Sequence, residues 1–226
     1  MKTSNIKSSI YSLWILLALF YGFSLNAQSV TDIEGKVYKT VKIGKKVWMA
    51  ENLTVSRFRN GDSIPQARTP EQWMMAGQAG QPAWCYYDNN DSIGCIYGKL
   101  YNWYALTDPR GLAPEGWRMP SNEDWTATTK FLGGVDIAGM KMKSVTGWSK
   151  SSWSNNKSGF TAFAGGTRDE TGKFSDINKT GQWWSVSKTI RFPNLVYTLK
   201  LQEAYVEVFY ETKDKSAGLS VRAVQN

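Results

Sequence analysis

The sequence predicts an α+β fold: one domain built on an antiparallel sheet, with two or three short helices and long loops. Three observations predict it. Segments that alternate apolar with polar residues lie near both ends of the chain. Helix-starting signals sit early and in the middle. Strand and helix patterns never alternate regularly, which excludes a doubly wound parallel sheet.

The elements follow in order. Lys2 and Lys7 precede an uncharged stretch, Ile10–Phe23, with an apolar centre at Leu13–Phe20. Ser24-Leu25-Asn26-Ala27 then offers a small residue at a cut. This is the three-part pattern of a secretory signal over residues 1–27, leaving a domain over 28–226. A transmembrane anchor needs about 20 apolar residues, and Gly22, Ser24 and Asn26 end this run too early. No later segment is long enough to span a bilayer.

Val37–Ile43 alternates at the strand period. Gly44-Lys45-Lys46 turns, and Val47–Ala50 returns as the second arm of a hairpin. Val55–Phe58 reads as a further short strand. Thr69-Pro70-Glu71-Gln72 is a capping Thr, a first-turn Pro and a Gln at the third helical position. That helix is expected to stop near Met75 or Ala76, ahead of Gly77. Ser121 with Asp124 starts a second helix, with Trp125, Thr128, Thr129 and Leu132 on one face and Gly133-Gly134 beyond its end. A third covers Ile137–Lys143. Short strands are then expected at Gly159–Ala164, Gln182–Ser187, Val196–Leu201, Ala204–Tyr210 and Leu219–Val224, with Asp169–Gly172 as a hairpin turn. The first and last strands are expected to neighbour one another in one sheet.

Composition bounds the chemistry. The chain has 226 residues, 42% of them hydrophobic and 20% charged, which suits a globular domain and excludes disorder. It has no His, so Ser-His and Cys-His catalysis and His-ligated metal sites are excluded. Losing 27 residues leaves 199, and losing Lys2 and Lys7 lowers the net charge from +8 to +6. The lysines are scattered, so a nucleic-acid partner is not expected. An anionic surface or polysaccharide fits the balance better. Cys85 and Cys95 are the two cysteines. In an exported protein such a pair is most simply a disulfide closing a loop of about ten residues. A reactive thiol or a metal pair is the alternative.

Ten of the eleven tryptophans follow the signal. Each can bury about 150–250 Å², so core is the first expectation, especially for Trp48, Trp103, Trp117 and Trp125. Stacking on sugars is the functional alternative. It is assigned to Trp148, Trp153, Trp183 and Trp184, which lie among Gly, Ser, Asn and Lys. Trp183 and Trp184 are adjacent, so on a strand they face opposite ways, one into the core and one outward. Arg118 and Arg168 could each grip an anionic group bidentately; an ion pair or a bond to a loop carbonyl is the plainer role expected for both.

Five phrases carry a family resemblance. They are Gly35–Tyr38 with Val47–Leu53; Cys85–Asp88 with Tyr97–Ala105; Leu112–Pro120 before Glu123-Asp124-Trp125; Gly159–Gly166 leading to Gly181–Ser185; and Ser220-Val221-Arg222. Together they closely resemble the Fibrobacter succinogenes major paralogous domain (FISUMP) family. The resemblance implies an exported or lipid-anchored bacterial protein and a variant of the C-type-lectin-like fold, whose terminal strands pair. Many relatives have Cys where this chain has Ala223. The related formylglycine-generating enzymes bind copper through a Cys pair, which here only Cys85 and Cys95 could supply.

Candidate chemistry is thin. Asp88-Asn89-Asn90-Asp91 offers oxygen ligands for calcium but lacks EF-hand spacing, and such clusters also form turns. The Trp-Asn-Asp phrase of calcium-dependent lectins is absent. Glu115, Glu123, Asp124, Asp169, Glu170 and Asp176 could supply paired carboxylates for glycoside hydrolysis, but no pair stands out. No catalytic residue, metal or cofactor is expected. The leading expectation is an exported module that recognises a glycan or cell-surface partner. A polysaccharide hydrolase and a structural envelope protein are the alternatives.

Overall fold

The computed structural model describes residues 29–149 and 153–226. The signal segment lies outside them. Strands β1 (Ser29–Thr31), β2 (Val37–Ile43) and β3 (Lys46–Met49) form an antiparallel meander. Beyond β3 the sheet continues with β12 (Val224–Gln225) and then β6 (Trp117–Arg118), giving the order β1-β2-β3-β12-β6. The two chain ends therefore pair, through Val224 and Trp48. A second sheet has the order β11-β10-β9, from β9 (Thr180–Lys188), β10 (Leu195–Gln202) and β11 (Phe209–Asp214). Two small ladders complete the strands: β4 (Trp84–Cys85) with β5 (Leu100–Tyr101), and β7 (Gly165–Arg168) with β8 (Phe174–Ile177). All these pairings are antiparallel, as an α+β domain requires.

The helices obey their local signals. Helix α1 (Pro70–Gln78) begins with the Thr69–Gln72 capping box. It runs through Gly77, past the expected stop. Gly77 is buried against Ser216, whose Cβ would lie 2.6 Å from any Cβ added there. The glycine serves close packing, not termination. Helices α2 (Asp91–Tyr97) and α3 (Trp103–Thr107) were not foreseen, and each is capped by an Asn side chain, Asn90 and Asn102. Helix α4 (Asn122–Phe131) has the Ser121–Asp124 capping box, and α5 (Val135–Met142) follows the Gly133-Gly134 break.

Four expected strands differ. Val55–Phe58 keeps only one bridge, Arg57 to Ser63. Residues 159–164 are irregular, because Asn156, Phe160 and Thr161 use their polar groups on one another and on a buried cation described below. Ala204–Tyr210 begins as a turn whose carbonyls hold Lys143, so β11 starts only at Phe209. The alternating run 219–224 is likewise extended but not one strand. Its backbone bonds in turn to Tyr101, Gln182, Leu53 and Met49 before reaching Trp48, so it stitches both sheets and the β4–β5 ladder together.

Tryptophans fill the interior. Trp48 and Trp125 stack at 4.3 Å between ring centroids, and Phe160 stands edge-on to both and to Trp183. Trp103, Trp117 and Trp184 belong to a second buried cluster, with Tyr101, Leu106 and Val221. Trp73 and Cys85 belong to a third. The expected core positions of Trp48, Trp103, Trp117 and Trp125 are all buried.

Candidate binding surface

The node that joins the two sheets is polar and buried. Asn52 Oδ1 accepts from Trp183 Nε1 and from Arg222 Nε, both at 2.9 Å. Asn52 Nδ2 donates to the Tyr97 carbonyl at 2.8 Å and to Ser220 Oγ at 3.3 Å. Arg222 is fully buried, and its remaining N–H groups donate to the carbonyls of Phe160, Thr161 and Met49. Its guanidinium lies 4.0 Å from the Phe160 ring centroid. No carboxylate forms an ion pair with it among the described residues. Burial therefore pushes its pKa down to about 9, against the weaker pull of Glu51. Thr161, whose carbonyl takes one of these bonds, sits at φ 55°, a strained conformation for a β-branched residue. Asn156 holds it by accepting from its N–H. Residues from four of the phrases that carry the family resemblance meet here and build a frame; Asn52 and Thr161 also line a cavity of about 280 Å³ beside it.

Two lysines are also enclosed. Lys143, just after α5, donates to the carbonyls of Gln202 and Tyr205 and lies 4.8 Å from the Trp148 ring centroid. Lys99 donates to Ser56 Oγ and lies 3.7 Å from the Trp84 ring centroid. Burial lowers the pKa of each to about 8. A lone Lys inside the otherwise apolar run Leu100-Tyr101 with Gly98 was the one available signal for Lys99. For Asn52 and Arg222 no signal distinguished a buried role from a surface one.

The structure separates the expected ligand-binding residues. Trp183 and Trp184 do point to opposite faces of β9, but both faces are covered. Trp183 donates to Asn52, and Trp184 donates to the Tyr101 carbonyl at 2.7 Å. Trp148 is buried and donates to the Ala162 carbonyl. Arg168 is fully buried between the rings of Trp73 and Phe174 and donates to the carbonyls of Ala67 and Gly172. Trp148, Trp183 and Trp184 offer no face to a ligand, which corrects the expectation for them; Arg168 is equally buried, but its Nη2 is left without a partner. The Gly- and Ser-rich texture around these side chains reflects close packing, not surface loops. Gly181, for example, would carry any Cβ 2.5 Å from the Trp183 ring. Trp153 alone among the five is exposed, at 52%.

The disulfide is also corrected. Cys85 is buried on β4 and Cys95 is exposed on α2, both as free thiols. Gly94 turns inward against the Tyr86 ring, where any Cβ would lie 2.1 Å from a ring carbon. The next residue on the helix, Cys95, is thereby rotated about 100° away and faces solvent. Burial pushes the Cys85 thiol up to about 12, despite the nearby Arg168 guanidinium.

Two of the candidate acids, Asp124 and Asp169, are occupied structurally. Asp124 caps α4 and binds Arg118 in a fork and Lys46 at 2.7 Å. Burial opposes its ionisation, but these bonds outweigh it and hold the carboxyl well below the usual range. Asp169 closes the β7–β8 turn by accepting from Thr171 and Lys173. In the Asp88–Asp91 loop, Asp88 and Asn89 adopt left-handed φ values of 51° and 53°, and Asn90 caps α2. Of the loop's side-chain oxygens, Asn90 Oδ1 accepts from the Ser92 and Ile93 N–H groups, while Asn89 Oδ1 is buried without a partner. No group of three or more His, Cys, Asp or Glu side chains is placed to hold a metal among the described residues.

What remains open is an aromatic edge beside α5. The Met140 N–H donates to the Val206 carbonyl, and the Met140 carbonyl accepts from Asn155 N–H. One helical residue thus ties the 153–159 loop to the β10–β11 turn. Trp153 lies two residues before Asn155, and Tyr205, 48% exposed, directly precedes Val206. Tyr205 packs edge-on against Phe209 at 5.4 Å. Lys143 pins the turn from beneath, and Gly139 lets α5 approach it closely. Tyr205 was missed because its surroundings read as the interior of a strand.

No helix among the described residues is long and apolar enough to cross a membrane. Comparison with curated proteins and with solved structures returned no match for the chain. The profile of the Fibrobacter succinogenes major domain matches residues 41–225, from β2 to β12. The chain therefore belongs to the Fibrobacter succinogenes major domain family.

Proposed function

We propose that the protein is an exported, non-catalytic recognition module that binds a glycan or cell-surface partner at the aromatic edge of α5. The observation that carries this reading is the exposure of Trp153 and Tyr205 on segments fixed to one helical residue, Met140. Ring faces held in place on a scaffold suit sugar stacking, because little conformational freedom is lost on binding. The pairing of the chain ends supports placing the scaffold with C-type-lectin-like folds. The positively charged, apolar N-terminal segment supports export.

The test is a glycan array probed with the protein and with Trp153→Ala and Tyr205→Ala. Each substitution is expected to weaken binding at least tenfold while leaving the thermal midpoint unchanged. Absence of binding to every glycan and matrix partner, or undiminished binding by both variants, overturns the reading.

A further inference from the structure

A second exposed feature lies at the hairpin joining β9 to β10. Ile190 is fully exposed, at 102%, and Phe192 is 55% exposed. Two large apolar side chains so close together on a surface need an explanation. The tip that carries them is ordered by its own hydrogen bonds. Thr189 Oγ1 accepts from Phe192 N–H at 3.2 Å and lies 2.6 Å from the Phe192 carbonyl oxygen. Leu195 N–H closes the turn onto the Phe192 carbonyl at 2.9 Å. Lys215 N–H reaches across from the neighbouring segment to the Asn194 carbonyl.

Behind the tip lies a collar of positive charge. Arg191 stands between the two apolar residues. Lys188 and Lys215 both lie over the Trp103 ring, at 5.4 and 5.0 Å from its centroid. Lys213 pairs in register with Val196 on β10. From Asn178 to Gln202 the sequence contains no acid. Two acids stand near these four cations. Asp214 accepts from Ser216 N–H, and Glu123 reaches Ser187 on the hairpin stem.

A projecting apolar point with cations set behind it matches a lipid interface. The apolar residues can enter the acyl boundary while the cations meet headgroup phosphates. The full exposure of Ile190 lets it project beyond the cations, and it is the cations that favour an anionic lipid surface over a neutral partner. We propose that the Ile190–Phe192 tip and its basic collar dock the protein onto an anionic lipid surface.

The protein released by an exporting host is sedimented with phosphatidylcholine vesicles, with and without phosphatidylglycerol. Wild type is expected to bind the anionic vesicles and to lose binding as salt rises. The double variant Ile190→Ser with Phe192→Ser is expected to bind them at least tenfold more weakly. The pair Lys188→Gln with Arg191→Gln should remove the preference for anionic over zwitterionic vesicles. Because the tip is exposed, near-UV circular dichroism and the thermal midpoint should not change in either variant. The proposal is overturned if wild type fails to bind anionic vesicles, or if the Ile190/Phe192 variant binds them equally well. It is also overturned if the tip captures a protein partner while leaving vesicles untouched. These outcomes do not touch glycan binding at the α5 edge, which the Ile190/Phe192 variant should retain.

Discussion

Replacing Asn52 by Ala should be among the most damaging single changes outside the apolar core. The substitution deletes one acceptor that serves two buried donors, Trp183 Nε1 and Arg222 Nε, and one donor that serves the Tyr97 carbonyl and Ser220 Oγ. A buried group left unsatisfied costs about 1–3 kcal/mol, more when charged. Ser220 can turn its hydroxyl elsewhere, so two orphaned donors and one orphaned carbonyl dominate. The expected loss is about 3–5 kcal/mol, similar to breaking a buried ion pair. For a domain of this size that is a fall of about 6–20 °C in the thermal midpoint. Urea unfolding of wild type and variant, with an unchanged slope, measures it directly. A loss below about 1 kcal/mol would mean that the node is solvated or rearranges freely, and the reasoning would fail.

Three further outcomes are expected. Gly139→Ala should destabilise by about 1–3 kcal/mol, although the same change in an exposed helix usually stabilises, because the added Cβ would lie 2.3 Å from the Glu207 carbonyl oxygen; a gain in urea midpoint would refute this. Folding lowers the Lys99 pKa to about 8 from its ordinary 10.5. Between these values the unfolded chain binds more protons, so Lys99 makes stability rise with pH, by up to about 1.4 kcal/mol per unit. Lys99→Met should remove that contribution, and equal slopes for variant and wild type between pH 8 and 9 would contradict it. Under native conditions a thiol reagent should label Cys95 and spare Cys85 until urea is added, and a native intact mass showing two hydrogens fewer than the dithiol form would restore the disulfide.

How much the sequence revealed depended on whether a signal was local. The capping boxes at Thr69 and Ser121 are written within four residues and formed as expected. The β2–β3 hairpin is equally local and also formed. Helices α2 and α3 escaped notice because they are short, their caps are Asn side chains inside runs that read as turn and strand, and packing holds them. The burial of Trp183 and Trp184 was hidden for a different reason. Whether both faces of β9 are covered depends on the 219–224 segment, about 40 residues later, crossing one of them. The cysteine reading failed on rotation. Ten residues of spacing permit a bridge, but packing of Gly94 against Tyr86 sets which side of α2 faces inward.

The positions of the shared phrases and of the exposed aromatics point to a division of labour within the fold. Asn52, Phe160, Trp183, Ser220 and Arg222 all come from the phrases that mark the family, and all meet at a buried node. Substituting any of them should therefore lower stability first and binding only as a consequence. Trp153, Tyr205 and the Ile190–Phe192 tip lie outside every phrase; Lys143 holds the turn that carries Tyr205, and the tip is ordered by its own hydrogen bonds. In such an arrangement the ligand can differ between members of a family while the frame stays the same, because exposed loop residues change at little cost in stability. On the proposed reading, a search for binding begins at Trp153 and Tyr205, which lie inside the family match but outside the phrases that build the node.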